Sequence, residues 1–197
     1  PIIKYKQIKE LLNQKVKFNN YYIAIGRLTK QKNFFLLLKV FKELYKNNLI
    51  KEKLLIIGEG ELKTEIIKFI NLNNLNNKVI LLGYKKNVFK YLFNAKAFLL
   101  TSLWEDPGFA LIEAAFCRTS LISSDCNNGP REFLEFKNNG FLFKSNSKHD
   151  LKKKILEFIN SDETNIKNKK LNALKEAHKF SFFKHYSNLN NLLINEN

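Results

Sequence analysis

Three short apolar runs, each of which ends in glycine, constrain the fold of this 197-residue chain most strongly. They occupy residues 21–26, 54–58 and 79–83. Continuous apolar runs of this length are typical of parallel strands that helices cover on both faces. Between them, apolar residues recur at helical spacing, as in Phe34, Leu37 and Phe41. This alternation predicts an α/β domain with a Rossmann-like, doubly wound parallel sheet.

The remaining chain continues the same alternation. The periodicity predicts further strands at residues 97–101, 121–124 and 141–143, and helices at about 34–45, 61–72, 88–94, 109–117, 151–160 and 163–179. In such folds ligands bind at the carboxyl ends of the strands. The glycines that end the apolar runs lie there, and so does Glu105. We therefore expect the site at this edge of the sheet.

Residues 102–115 bring together several candidate functional groups. A buried strand precedes them, and a Pro-Gly turn leads directly into the helix predicted at residues 109–117. The start of a helix exposes backbone N–H groups that bind anions. Glu105 lies in the turn, whereas Glu113 lies about one turn inside the helix. This arrangement suits a ligand that carries both phosphate and hydroxyl groups.

The composition bears on possible partners. The net charge is +16, but the lysines are scattered along the chain. We interpret them first as solvated helix faces, second as a source of loose attraction to an anionic membrane, and only third as a nucleic-acid surface. No apolar run approaches the roughly 20 residues of a membrane helix, and no secretory signal is evident. The two cysteines indicate a reducing compartment, and no metal site is evident.

Two motifs resemble those of retaining glycosyltransferases of family 4, which have the GT-B fold. Residues 105–114 read EDPGFALIEA, where that family has E-G-F-[GP]-x-x-L-x-E-A, so that Asp106 and Pro107 replace Gly and Phe. Residues 26–33 read GRLTKQKN, which is similar to G-R-L-x-x-Q-K-G. Residues 58–60 and 83–84 are similar to the family's G-x-G and F-L-G segments. The chain therefore resembles the C-terminal, donor-binding half of such an enzyme.

The resemblance implies a role for each matching residue. Arg27 and Lys32 would neutralise the leaving nucleotide diphosphate, and Glu113 would hold the ribose hydroxyls. Glu105 would lie beside the donor sugar as the catalytic residue. The other expected contacts with the donor are of two kinds. The backbone N–H groups around Gly108, Phe109, Ala110 and Leu111 would meet the distal phosphate and sugar, and the loops that carry Gly58, Gly83 and Tyr84 would border the base.

The implied reaction moves a sugar from a nucleotide-diphosphate donor to a lipid or saccharide acceptor, with retention of configuration, in the synthesis of a cell-surface polysaccharide or lipopolysaccharide. The resemblance implies no metal cofactor, no nucleic acid as a partner, and a cytoplasmic location at the inner face of the membrane. A sugar-nucleotide epimerase of the same fold and a basic nucleic-acid-binding domain remain alternatives. The base, the sugar and the acceptor stay open.

The domain boundaries follow from the same patterns. Residues 1–17 are predicted to form a linker and a short helix that lead from a missing N-terminal acceptor domain. Residues 18–161 are predicted to form the nucleotide-sugar-binding domain, and residues 162–197 to form C-terminal helices. The aromatic segment at residues 180–186 resembles the start of the family's last helix. That helix either crosses back to the N-terminal domain or packs on the core of this one.

Overall fold

The computed structural model describes residues 16–106, 108–135 and 138–180. It contains a six-stranded parallel sheet flanked by helices, as the sequence predicts. The strands are β1 (Tyr21–Ile25), β2 (Lys53–Ile57), β3 (Val79–Gly83), β4 (Ala97–Leu100), β5 (Ser120–Ser124) and β6 (Phe141–Phe143). The helices are α1 (Phe34–Lys46), α2 (Lys63–Leu72), α3 (Phe89–Phe93), α4 (Phe109–Phe116), α5 (Pro130–Glu135), α6 (Lys148–Asn160) and α7 (Glu163–His178), and a 3-10 turn (Lys30–Lys32) precedes α1.

The order of the strands confirms the doubly wound prediction. It is β3-β2-β1-β4-β5-β6, and every neighbouring pair is parallel. The direction of winding reverses between β1 and β4, which pair through Tyr22 with Ala97 and Ile23 with Phe98. At such a reversal the two connections leave the sheet towards opposite faces, so a crevice opens between them. The loops after β1 and β4 therefore border the expected ligand crevice.

The side chains of the strands divide the core into two clusters, one on each face of the sheet. Successive residues of a strand point to opposite faces, so Tyr22 belongs to one cluster and Tyr21 and Ile23 to the other. Helices α1, α2 and α6 cover the first face, and α3, α4, α5 and α7 cover the second. Because both faces are buried, the strands read as continuous apolar runs in the sequence.

Helix α7 packs on the same core through small residues. Ala173 and Ala177 are buried in the second cluster, and their spacing of four places them on one face of the helix. Their small side chains allow the backbone of α7 to approach α4, with which it makes its main contact. The linker predicted at the start of the chain lies almost entirely outside the described residues, as does the segment after Phe180. Within the described ranges, no helix is long and apolar enough to span a membrane.

Candidate functional site

The two loops at the reversal of the sheet are bonded to each other. The backbone N–H of Leu103 donates to the carbonyl of Gln31 at 2.8 Å, and the side-chain amide of Gln31 donates to the carbonyl of Trp104 at 2.9 Å. The hydroxyl of Thr101 donates to the carbonyl of Lys32, also at 2.9 Å. The loop after β1 and the loop after β4 are thus joined at three points.

Lys32 and Glu105 form an ion pair across this junction. The Lys32 Nζ lies 2.5 Å from Glu105 Oε1, and the two side chains are only 15% and 5% exposed. The carbon stem of the lysine passes over Gly26, where an added Cβ would lie 3.2 Å from three of its atoms. Two predicted site residues that are 73 positions apart are therefore in direct contact. A charge pair removed from water needs its partner, because an isolated buried charge is costly.

The exposed side chain of Arg27 lies at the start of the same loop. Across residues 16–106, 108–135 and 138–180, no acidic side chain forms an ion pair with it. A guanidinium group can bind a phosphate through two parallel hydrogen bonds. Of the two predicted cations, Arg27 is thus available to an incoming ligand, whereas Lys32 is already paired within the protein.

Helix α4 begins beside this ion pair. Gly108 precedes it in a left-handed conformation with φ of 83°, and an added Cβ would lie 3.5 Å from the side chain of Glu105. The N–H of Leu111 already donates to the carbonyl of Gly108 at 2.9 Å, and its side chain is buried. The turn thus uses that donor within the protein, and the predicted contact of the Leu111 N–H with the phosphate or sugar stays a prediction. Among the described residues, no acceptor takes the N–H groups of Phe109 and Ala110.

Glu113 is half-buried on α4, between the buried side chains of Ile112 and Ala114. In the part of the chain that the structure describes, no cation or hydrogen-bond donor pairs with its carboxylate. Burial raises the pKa of Glu113 above its ordinary value, because removal from water disfavours the charged form. A carboxylate in this state accepts hydrogen bonds from hydroxyl groups of a ligand without a competing internal partner.

The predicted loop residues after β2 and β3 have a clear packing role. Gly58 has φ of 147°, and an added Cβ would lie 1.9 Å from the carbonyl oxygen of Gly26. The Gly58 N–H donates to the carbonyl of Gly83 at 3.0 Å. The glycine at position 58 thus lets three neighbouring loops meet at the edge of the sheet. Tyr84 is 73% exposed at the same edge, and the predicted contact of these loops with a base stays a prediction.

The sequence did not point to the polar side chains that support the ion pair. Ser102 is fully buried and donates through its hydroxyl to Glu105, and Ser124 donates to the carbonyl of Ser102 at 2.7 Å. A usable pattern was present, because Thr101 and Ser102 follow the apolar strand β4, and Ser123 and Ser124 end the neighbouring strand β5. Hydroxyl groups at the ends of adjacent buried strands need partners, and these donate to backbone carbonyls and to the carboxylate of Glu105.

Two further observations concern other groups. Burial raises the pKa of Cys117 to about 12, so its thiol stays protonated within the core. In the three described ranges, no group of three or more His, Cys, Asp and Glu side chains could hold a metal ion.

Comparison with known proteins agrees with the two motifs. The family model described as glycosyl transferases group 1 matches residues 7–187. An uncharacterised glycosyltransferase of Methanocaldococcus jannaschii is 46% identical over 116 residues, which are 57% of this chain and 28% of that protein. The poly(ribitol-phosphate) alpha-N-acetylglucosaminyltransferase of Staphylococcus aureus is 34% identical over 139 residues, which are 70% of this chain and 28% of that protein.

A solved structure shares the fold. A variant of S. aureus TarM, in complex with fondaparinux, alpha-GlcNAc-glycerol and UDP, superposes with a TM-score of 0.72 and 27% sequence identity. The match covers 89% of this chain and 34% of that protein. The chain thus spans about a third of the length of the proteins to which it is compared here.

Proposed function

Because this chain belongs to the group 1 glycosyl transferases, we propose that it is the nucleotide-sugar-binding half of a retaining glycosyltransferase with the GT-B fold. The observation that carries the proposal is the contact between Lys32 and Glu105 at the reversal of the sheet. It joins the basic loop after β1 to the loop that opens α4. Phosphate-binding groups and a carboxylate thus lie together in the crevice where this class of fold binds ligands.

The described groups suggest how a nucleoside diphosphate is held. The guanidinium of Arg27 binds the diphosphate, and the N–H groups of Phe109 and Ala110 receive its distal phosphate at the positive end of the helix dipole. Lys32 adds a second positive charge. Glu113 accepts hydrogen bonds from the ribose hydroxyls. Uracil is the first base to test, because the TarM variant was solved with UDP.

The proposed reaction breaks the bond between the sugar C1 and the diphosphate oxygen and forms a bond from C1 to an acceptor oxygen on the same face. The nucleoside diphosphate leaves with the electrons of the broken bond, and its departing oxygen takes the proton that the acceptor hydroxyl gives up on the same face. Arg27 and Lys32 stabilise the charge that develops on the leaving group. The carboxylate of Glu105 stabilises the positive charge that develops on the sugar.

The acceptor is proposed to be a lipid or saccharide of a cell-surface glycan, held by a part of the protein that precedes these residues. The S. aureus relative is named for transfer of N-acetylglucosamine to poly(ribitol-phosphate), so N-acetylglucosamine is the first sugar to test. The net charge of +16 supports a location at an anionic cytoplasmic membrane surface, to which each nearby Lys or Arg contributes about 1 kcal/mol.

The reaction is proposed to need no divalent metal, since Arg27, Lys32 and the start of α4 take over its charge role. EDTA should leave the rate of the whole enzyme nearly unchanged. A loss of activity that Mg²⁺ or Mn²⁺ restores would contradict this part of the proposal.

The binding proposal is tested by thermal unfolding of the chain with UDP, UDP-N-acetylglucosamine and UDP-galactose. A ligand that binds only the folded state at 100 times its Kd adds about 2.7 kcal/mol of stability. Arg27→Gln should abolish most of the resulting rise in Tm, whereas Lys30→Gln should preserve it, because Lys30 is an exposed lysine of the same loop. If no UDP compound raises the Tm of the parent chain, the proposal that the donor carries uracil is wrong. If ADP, GDP and dTDP sugars fail as well, the donor-binding function is wrong.

A further inference from the structure

Glu105 receives two hydrogen bonds on the same oxygen atom. The Lys32 ammonium and the Ser102 hydroxyl both donate to Oε1. Among the described residues, no donor is bonded to Oε2. The side chain of Glu105 is 5% exposed, and its carboxylate is held by two donors on Oε1, while Oε2 has no donor among the described residues.

Ser102 is itself fixed by the neighbouring strand. It is fully buried just after β4, and its carbonyl accepts a hydrogen bond from the hydroxyl of Ser124, which ends β5 and is also fully buried. The adjacent Thr101 donates to the carbonyl of Lys32. The backbone of Ser102 is therefore held by the sheet. The hydrogen bond from its hydroxyl in turn fixes the position of the Glu105 carboxylate.

The two donors differ in how they respond to a bound diphosphate. Lys32 is cationic, so an anion in the crevice attracts its ammonium group away from Glu105. Ser102 is neutral and is anchored by Ser124, so the anion exerts no comparable pull on its hydroxyl. When Lys32 turns to the diphosphate, Ser102 is the donor that remains on Oε1.

We propose that Ser102 is a positioning residue for the sugar-transfer step, which holds Oε1 of Glu105 so that Oε2 faces the donor sugar. This inference rests on the proposed function. Without Ser102, no donor remains on Oε1 once Lys32 has turned to the phosphates, so the Glu105 carboxylate is free to rotate and its alignment with the sugar is lost. Binding of the diphosphate itself changes little, because among the described residues Ser102 forms no hydrogen bond with Arg27 or with the start of α4.

A double-mutant cycle tests the contact without any substrate. The free energy of unfolding in urea is measured for the parent chain, Ser102→Ala, Glu105→Gln and the double variant. We expect the effects of the single changes to be coupled, by about fivefold or more in the unfolding equilibrium constant, as for residues in direct contact. Ser123→Ala removes a fully buried hydroxyl that donates to the carbonyl of Ser124 and, among the described residues, has no hydrogen bond to Glu105, so it should show no coupling to Glu105→Gln. If Ser102 showed as little coupling to Glu105 as Ser123 shows, the inference would be overturned.

A second measurement separates positioning from support of the fold. Release of UDP from the UDP sugar that most raises the Tm is followed in the whole protein, and UDP affinity is measured by calorimetry. Ser102→Ala should lower kcat about tenfold or more and leave the Kd for UDP within about threefold. Ser102→Cys keeps the side-chain volume but donates weakly, so it should behave like alanine. Ser102→Thr keeps the hydroxyl and should restore most of the rate, and Ser123→Ala should match the parent.

The outcomes can be told apart. A loss of UDP affinity in Ser102→Ala that equals its loss of rate would show that Ser102 only supports the loop, and would overturn the positioning role. An unchanged kcat in the alanine and cysteine variants would do the same. If the parent protein bound no nucleotide sugar, the proposed function would fail and the positioning role with it, whereas the stability cycle would still decide whether Ser102 holds Glu105.

Discussion

Glu105 and Glu113 stand eight residues apart and have opposite environments. Glu105 lies in the loop before α4, is 5% exposed, and receives hydrogen bonds from Lys32 and Ser102. Glu113 lies within α4 and is half-buried, and among the described residues it has no cationic partner. Burial raises the pKa of Glu113, because removal from water disfavours the charged form.

The difference indicates two uses of the same functional group. A buried carboxylate with an internal cation is held in a single position, which suits a group that acts on one bond of a substrate. A half-buried carboxylate without a partner reduces stability, and sites with such a cost are typical of ligand-binding positions. Among the described residues, the protein thus satisfies Glu105 internally, whereas the proposed function would have a ligand satisfy Glu113.

The largest expected effect is the loss of stability when Glu105 loses its internal partner. Lys32→Met leaves the buried charge of Glu105 unpaired, and we expect a loss of about 3–5 kcal/mol in the free energy of unfolding. Chemical denaturation measures it. The double variant Lys32→Met/Glu105→Gln should lose less than the single one, since no buried charge remains. Lys30→Met, at an exposed position of the same turn, should change stability by less than about 0.5 kcal/mol. Equal losses in the single and double variants would show that the ion pair does not compensate Glu105.

The next largest effect is on the affinity for the nucleotide. Glu113→Gln removes a charged acceptor for the ribose hydroxyls, at a cost of about 1.5–3 kcal/mol, which is roughly a 10- to 150-fold weaker complex with UDP. Calorimetric titration measures it. Glu65→Gln serves as the control, because Glu65 is an exposed carboxylate in the first turn of α2. If Glu113→Gln bound UDP as well as the parent does, the ribose assignment would be wrong.

Glu105→Gln should change UDP affinity in the opposite direction. The substitution removes a negative charge beside the diphosphate and releases Lys32 from its partner. We expect binding about fivefold tighter, since roughly 1 kcal/mol is the size of a partly screened charge interaction at this range. The same titration measures it. Weaker binding would mean that Glu105 contacts the nucleotide, and the contrast between the two carboxylates would disappear.

The smallest effect is on the stability of the protein without ligand. The pKa of Glu113 is raised from its ordinary 4.5 by burial, so its ionisation costs the folded state more than the unfolded state. The parent therefore loses stability as the pH rises above 4.5 and through the folded pKa, whereas Glu113→Gln does not. Thermal unfolding should give the variant a Tm up to about 4 °C higher at pH 7 and no comparable gain at pH 4. A lower Tm at pH 7 would reveal an internal partner of Glu113.

Much of the fold could be predicted because its patterns are local. Apolar runs such as residues 54–58 mark strands, and the apolar spacing of α1 marks a helix, since each depends only on neighbouring residues. The position of the site at the strand ends followed from that alternation. The internal hydrogen bond from the Leu111 N–H to the carbonyl of Gly108 could not be predicted in the same way, because it depends on the backbone geometry of the turn.

The doubly wound alternation follows from the amino-acid sequence alone, as does the presence of Arg27, Lys32, Glu105 and Glu113 at strand ends and in the helix that follows. Which of these charges are paired depends on how the chain packs. Lys32 meets Glu105 because the reversal between β1 and β4 brings together loops that lie 73 residues apart. Glu113 is half-buried because of the elements packed around α4. Pairing and desolvation depend on distances across the fold, and it is these that separate two identical carboxylates.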